Sequence, residues 1–399
     1  MVERQAGTAA DAVLGVVPRE VVRPTSIAEV AEVLRAAQAD HRTVVPAGGR
    51  SKLGWAPPPS SCDLLLDTRG LDRIIEHPAG DLVVVVEAGV ALADLQPHVA
   101  AAGQLLALDP PEPGATLGGV VAANASGPRR LRYGTVRDLL IGITVVLADG
   151  TTASAGGKVV KNVAGYDLGK LYTGAHGSLG VVVSTTWRLH PVPPASGAVV
   201  VPVADAATAG RLALDLAGSS LTPSAAELIG TAGGGLSLVV LFESIAESVA
   251  HQSAAARDLL GGEVVQQVPT AFGQRPGGDG DLVLRIAHLP SALTAVLTAL
   301  PTGTAVASSA CTGVTYAALS ADDGIAGLPD LRAAITPYDG TVVVLAAPLA
   351  LRAGLDHWGP FGNALPLMQR VKHRFDPALL LAPGRFVEGP SVTPTGTAR

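Results

Sequence analysis

PAGGRSKLGW, residues 46–55, stands where a β-strand gives out. The four residues before it, 42–45, read as that strand, and a helix over 27–39 precedes them. The helix carries a capping-box pattern in Ser26 and Glu29, with Ile27, Val30, Val33 and Leu34 following at helical spacing. Gly48 and Gly49 end the regular structure and leave successive backbone N–H groups unobstructed; Arg50, Ser51 and Lys52 add donors. That combination suits a phosphate nest. It is neither a GxxxxGK[ST] loop nor a GxGxxG fingerprint. Outward from this junction, 63–66 and 82–87 read as strands and 92–102 as a helix that stops at Gly103. Strands and helices alternate, so the first part of the chain is an α/β unit.

The chain has 399 residues, enough for two domains that each bury a core. Hydrophobic residues are 48% and charged residues 16%, a globular balance, and Gly and Pro at 77 positions stay below the level of a low-complexity chain. A net charge of -6 and only 13 aromatic residues argue against nucleic acid as a partner. Cys62 and Cys311 are far apart and lack a CxxC companion, which excludes a cysteine framework or an iron–sulfur cluster on this chain. No HExxH occurs and the nine histidines are scattered, so no metal site is expected. The first residues do not read as a signal peptide and no apolar run approaches ~20 residues, which points to a cytoplasmic location.

From residue 108 the composition changes. LDPPEPGATLGGVVAANASGPRRLRYGTVRDLL is crowded with small residues ahead of a strand at 141–147 and an Asp149-Gly150 turn. A loop of this length inside a domain is functional or disordered. Within it, TLGGVVAANASG (116–127) lets backbone approach a large flat ligand, with Asn124 and Ser126 as hydrogen-bonding groups. Arg129, Arg130, Arg132, Arg137 and Asp138 follow, either a solvated charged loop or partners for an anion. After a strand at 181–189, PVPP (191–194) marks a boundary.

Beyond it one pattern occurs twice. Segments 197–203, 206–217, 225–229, 236–242, 245–260 and 263–268 read βαββαβ. Segments 282–287, 291–300, 304–310, 314–319, 328–335 and 341–345 repeat it. Two ferredoxin-like halves make one antiparallel sheet with helices on one face. A last helix at 365–375 and a turn return toward the first unit. The expected division is therefore 1–195, 196–350, a returning segment 351–387, and a loose tail 388–399. In the second unit, Arg285 and His288 in LRIAHLP are candidates to meet a carboxylate and a proton. His288 also reads as a strand-end surface residue, and His176 between Gly174 and Gly177 is equally ambiguous.

Taken in order, PAGGRSKLGW, DPPEPGATLGGVVAANASG, RYGTVRDLLIGITVVLADG and GGKVVKNVAGYDLGKLYTGAHGSLGVV resemble the flavin-binding domain of the vanillyl-alcohol oxidase family, also called the PCMH-type FAD fold. GPRRLRYGTVRD, KNVAGYDL and the closing FDPALLLAPGRF look like the FAD-binding E subunits of bacterial glycolate oxidases. The resemblance is strong over about 23–194 and at the C-terminus, and weak across the second unit. It implies an α+β chain: a PCMH-type FAD-binding domain followed by an antiparallel-sheet cap of two βαββαβ units, with FAD extended between them.

By motif, the resemblance implies that Pro46, Ala47, Gly48, Gly49, Arg50, Ser51, Lys52, Leu53 and Gly54 hold the pyrophosphate. Thr116, Leu117, Gly118, Gly119, Ala123, Asn124, Ser126 and Gly127 line the ribityl and ring region, with Pro110, Tyr133 and Gly134 in the flanking motifs. Gly180, Val181 and Val182 meet the adenine side. Relatives that attach flavin covalently use a histidine in the pyrophosphate loop. This loop has none, so the FAD is expected to be non-covalent.

The implied reaction is hydride transfer from a 2-hydroxy acid such as glycolate to flavin, with a base taking the hydroxyl proton. The catalytic subunits of such complexes carry an HxxGDGN-like stretch that this sequence lacks. Electrons then leave through a second flavoprotein subunit and an iron–sulfur subunit, and membrane contact comes only through partners. Two other readings stay open: a non-catalytic flavin-binding assembly subunit, and a stand-alone FAD dehydrogenase of another hydroxylated substrate.

Overall fold

A computed structural model describes residues 2–158, 166–278, 280–352 and 354–387. Residues 161–165 of the KNVAGYDL motif and the tail 388–399 lie outside the described residues. The helix Ile27–Ala39 forms where its cap predicts, with the Ser26 side chain accepting from the Glu29 N–H. Its apolar stripe, including Val30, Val33 and Leu34, is buried. It packs with a four-stranded sheet ordered Glu3–Ala6, Glu20–Arg23, Leu64–Asp67, Val44–Ala47. The first pair is antiparallel and the other two are parallel.

Beside it stands a five-stranded antiparallel sheet ordered Ile74–Glu76, Val83–Glu87, Val181–Arg188, Leu140–Val146, Thr152–Gly156. Val181–Arg188 is buried along nearly its whole length, as befits the central strand. Its Trp187 is fully buried and donates its indole N–H to the Thr185 hydroxyl at 2.8 Å.

The stretch from 108 to 140 is less irregular than its composition suggests. It contains helices Leu117–Ala123, Arg130–Tyr133 and Val136–Leu139. The first is built from small residues because it lies against Ala88; a Cβ on Gly118 would sit 2.8 Å from the Ala88 Cβ. Low propensity is overridden there by close packing.

The second half is one eight-stranded antiparallel sheet. Its order is Glu263–Val265, Ala195–Val203, Leu236–Ser244, Ala225–Thr231, Ala305–Ser309, Val314–Ser320, Asp281–Ala287, Thr341–Ala346. Helices Ala206–Ala217, Ala246–Leu260, Leu293–Ala299 and Ala321–Ile335 complete two βαββαβ units and bury one sheet face. The last helix starts seven residues ahead of the expected 328, despite Gly324, Gly327 and Pro329. Gly324 is needed there: its Cβ would lie 2.7 Å from Leu282.

The opposite sheet face meets the first unit, where Trp55 packs with Val283, Ala318 and Leu345. A charged latch adds to this contact. Arg129 donates to both carboxylate oxygens of Glu243 at 3.1 and 2.6 Å, and Arg132 donates to the Glu243 carbonyl at 2.7 Å.

The helix Leu365–Phe375 brings the chain back to the first sheet. The Val44 N–H donates to the Leu380 carbonyl, and the Ala382 N–H donates to the Val44 carbonyl, both at 2.8 Å. Lys372, 3% exposed, donates to the Ser178 carbonyl, the Leu381 carbonyl and the Asp376 carboxylate at 2.8, 2.9 and 2.6 Å. Removing the ammonium leaves Asp376 buried as a charge without its partner. Lys372→Met should therefore destabilise the chain by about 3 kcal/mol, read as a lowered midpoint in urea unfolding followed by tryptophan emission.

Candidate functional site

The loop 46–55 runs from the strand Val44–Ala47 and folds over the start of the helix Leu117–Ala123. Its glycines are demanded by proximity: a Cβ on Gly49 would lie 1.7 Å from the Gly114 carbonyl oxygen, and one on Gly48 would lie 2.2 Å from the Thr116 hydroxyl. Thr116 caps the helix by accepting from the Gly119 N–H. Arg50 follows in the left-handed region at φ 59°, as do Asn124 at 48° and His176 at 52°. Non-glycine residues held in this region concentrate at functional sites.

Together these segments line an open cleft. Its walls are Pro46 to Leu53, Thr68, Thr116, Gly118, Gly119, Ala122, Ala123, His176, Gly177, Gly180 to Val182 and Arg385. Three stretches of sequence, 46–53, 116–123 and 176–182, thus meet in one place with the single residues Thr68 and Arg385.

The other nominated residues lie elsewhere. Leu117 is core, and Asn124 ends the helix behind the cleft. Gly54 faces Arg352. Ser126 and Gly127 line a neighbouring cavity, while Pro110 lines another beside Arg129 and Glu243. Tyr133 is buried edge-on against His190, and Gly134 turns the chain at φ 81°.

The loop's own basic side chains are already engaged. Arg50 donates to Asp11 at 3.1 Å, and Lys52 lies 3.4 Å from the Glu112 carboxylate. The cation beneath the loop is instead Arg385, 3% exposed, which donates to the carbonyls of Leu53 at 2.8 Å and Pro57 at 3.3 Å. Arg352 donates to Gly54 and Ala56 at 2.8 and 3.1 Å. Among the described residues neither guanidinium has a carboxylate at ion-pair distance. Burial lowers the Arg385 pKa to about 10, and the Arg352 charge adds to the effect. Two buried cations under a glycine loop leave positive charge for an anion to offset.

Sequence reading missed Arg385 because its position in APGRF lies more than 300 residues from the loop it supports. His176 is held neutral: burial, then the charges of Arg385 and Arg285, lower its pKa to about 3.

On the cap side, Arg285 stands opposite Tyr316 in register on the sheet face toward the first unit. His288 does not share that face. It is three residues on, so its side chain points to the opposite side, where Nε2 pairs with the Thr315 hydroxyl at 2.9 Å and Nδ1 with the Leu289 carbonyl at 2.8 Å. The two residues nominated as a pair are therefore separated by the sheet, and His288 is 8% exposed, not a surface residue. Burial pushes the Tyr316 phenol up, but the charges of Arg275, Arg130 and Arg285 outweigh it and bring the pKa down to about 8. No cluster of potential metal ligands occurs among the described residues.

Residues 18–156 match the protein family described as FAD binding domain. The chain is 30% identical over 216 residues to glycolate oxidase subunit GlcD of Bacillus subtilis, covering 53% of this chain and 45% of that protein. It is 32% identical over 215 residues to the mitochondrial D-lactate dehydrogenase [cytochrome] 1 of Saccharomyces cerevisiae, covering 53% and 36%. It is 34% identical over 184 residues to D-2-hydroxyglutarate dehydrogenase of Xanthomonas citri, covering 46% and 39%. The matched stretch spans less than half the length of each relative.

Structures of alkyldihydroxyacetonephosphate synthase share the fold, one with a TM-score of 0.68 at 17% identity, covering 92% of this chain and 76% of that one. The first part of the chain is thus a PCMH-type FAD-binding domain, and its cofactor is FAD. The glycine loop and the buried Arg385 fit the diphosphate of that cofactor.

Two outcomes follow from this geometry. Gly49→Ala should weaken FAD binding roughly tenfold or more, measured by quenching of flavin fluorescence, because the loop must move off Gly114. Tyrosinate absorbance at 295 nm should show a transition near pH 8 that Tyr316→Phe removes. The sign is that of an acid with a depressed folded pKa: the unfolded chain binds the extra proton between about pH 8 and about pH 10, so this contribution to stability grows as pH rises through that window.

Proposed function

We propose that the chain is an FAD-dependent oxidoreductase acting on the CH–OH group of a 2-hydroxy acid such as glycolate. In this reading it is the E-type FAD-binding subunit of a glycolate-oxidase-like complex. A second flavoprotein subunit and an iron–sulfur subunit complete that complex, and any membrane contact is made by partners. Among the described residues no helix is long and apolar enough to cross a membrane.

The observation that carries the reading is the cleft itself: a glycine loop closed on Thr116 and Gly114 and backed by two buried guanidinia. The relatives' names, all hydroxy-acid oxidising flavoproteins, supply the substrate class. The lack of an HxxGDGN-like stretch supports the subunit role, and the lack of a cysteine cluster supports a separate electron carrier.

Bound FAD supplies the hydride-accepting chemistry. The chain's own residues hold and orient. Gly48 and Gly49 would let backbone N–H groups hold the diphosphate, and Arg385 would offset its charge. Neutral His176 forms wall without adding a cation. The positive groups around Tyr316, namely Arg130, Arg275 and Arg285, receive the substrate's negative charge. His288, turned to the helical side, has no part in this.

No histidine lies in the loop 46–55, so acid precipitation should release all of the flavin into the supernatant. Anaerobic glycolate or D-lactate should bleach the flavin only when the partner subunits are co-purified. Absence of flavin from the isolated chain would remove the cofactor assignment, and bleaching by the chain alone would remove the subunit reading in favour of a stand-alone dehydrogenase.

A further inference from the structure

The helix Leu365–Phe375 is thinly covered. Lys372 is its one buried residue, although Leu367, Met368, Val371 and Phe375 recur at helical spacing. Phe375 is taken up by the short helix Leu168–Tyr172, where it meets the Tyr172 ring edge-on at 5.9 Å. The other three apolar residues open onto a groove between the two helices. Its floor is Ala175, Ser178, Leu179 and Val387, all buried, and its walls are the half-buried Leu171, Met368, Val371 and Phe386. Leu367 stands at the mouth, 56% exposed.

The polar groups in this lining are turned inward. The Thr173 and Ser178 hydroxyls donate to the Gly169 and Ala175 carbonyls at 2.8 and 2.7 Å, and the Lys372 ammonium is held by Ser178, Asp376 and Leu381. The groove therefore offers carbon to water, and a concave apolar surface with a polar rim marks a place where another molecule sits.

The rim carries the sign of the partner. Arg370 and Arg374 lie one turn apart beside Leu367 and Val371, with His373 next to them, and all three basic residues are exposed. Among the described residues neither arginine has a carboxylate at ion-pair distance. On the opposite wall Lys170 is matched by Asp167 at 3.1 Å, so the arginines decide the local charge, on a chain whose net charge is -6. An apolar trough with a cationic edge is complementary to a helix that carries aliphatic side chains on one face and Asp or Glu beside them.

Other occupants fit less well. A second copy in a two-fold contact would set Arg370 and Arg374 against their own counterparts. A lipid surface takes up an apolar face that protrudes, and here only Leu367 does. Residues 388–399 bring Val392 as their one large apolar side chain.

We propose that this groove docks an acidic amphipathic helix of another subunit. This rests on the subunit reading above and gives the partner a place on the chain. Phe386 walls the groove on one side and meets the ring of His176, a wall of the FAD cleft, at 5.7 Å on the other. The docked helix thus sits one side-chain layer from the cleft.

The test titrates the tagged, FAD-loaded chain with the second flavoprotein subunit and with the iron–sulfur subunit. One of them should bind, and Leu367→Ser should weaken it roughly tenfold. The double variant Arg370→Glu, Arg374→Glu should weaken it roughly tenfold or more. Rising salt should weaken the wild-type contact and strengthen that of the double variant, because screening then relieves repulsion. The substituted residues are exposed, and unchanged FAD affinity shows that the variants are folded. Benzoylphenylalanine placed at position 367 should cross-link to an Asp- and Glu-rich segment of the bound subunit.

Binding unchanged in both variants overturns the docking site and leaves the subunit reading standing. Failure of the wild-type chain to bind either subunit removes the subunit reading and this site with it. Dimerisation of the chain alone in sedimentation, or flotation with phosphatidylserine vesicles, that the same substitutions abolish assigns the face to a second copy or to lipid and overturns the acidic helix. So does loss of partner binding on deletion of residues 388–399 when the Leu367 and arginine variants still bind.

Discussion

A buried guanidinium with no carboxylate partner among the described residues underlies much of this molecule. Arg385 fixes the carbonyls of Leu53 and Pro57 from beneath, and Arg352 does the same for Gly54 and Ala56. Four carbonyls of an otherwise irregular loop, those of residues 53, 54, 56 and 57, are thereby satisfied. The side of the loop facing the cleft is left to glycine N–H groups. The loop's shape and its electrostatic preference for an anion come from the same two side chains.

Placing Arg385 requires the C-terminal helix to return to the first sheet. The Lys372–Asp376 pair, the Val44 ladder contact and Ala382 at φ 46° set the turn that delivers it. The returning segment is thus part of the flavin domain's construction. The same segment carries Trp358, which with Phe386 encloses the ring of His176. That enclosure, with nearby arginines, keeps the imidazole uncharged.

Much of the architecture was legible in the chain itself. The Ser26–Glu29 cap gave the helix Ile27–Ala39, and the twice-repeated βαββαβ pattern gave the eight-stranded sheet. Periodicity served well wherever apolar side chains mark a buried face. It failed where small residues carry the packing, as in Leu117–Ala123 and the early part of Ala321–Ile335. Contact with Ala88 or Leu282 makes those helices, and no local signal reports it. The short N-terminal strands Glu3–Ala6 and Glu20–Arg23 escaped for a related reason, since pairing across the sheet defines them.

The site divides the same way. Sequence alone nominated the glycine loop and the 116–127 stretch, because flexible, small-residue backbone is a local property, and the family resemblance added 180–182; of 116–127 the cleft takes the part up to Ala123. It also determined the absence of a loop histidine and of a metal-binding pattern. Only the tertiary structure decided which cation serves the loop, that Arg50 and Lys52 are held by Asp11 and Glu112, and that Arg285 and His288 face opposite ways across the sheet. It alone put Arg275 between Trp55 and Tyr316. Charge pairing and burial are set by groups tens to hundreds of residues apart, so the local sequence specifies the backbone's permission and the fold assigns the charge.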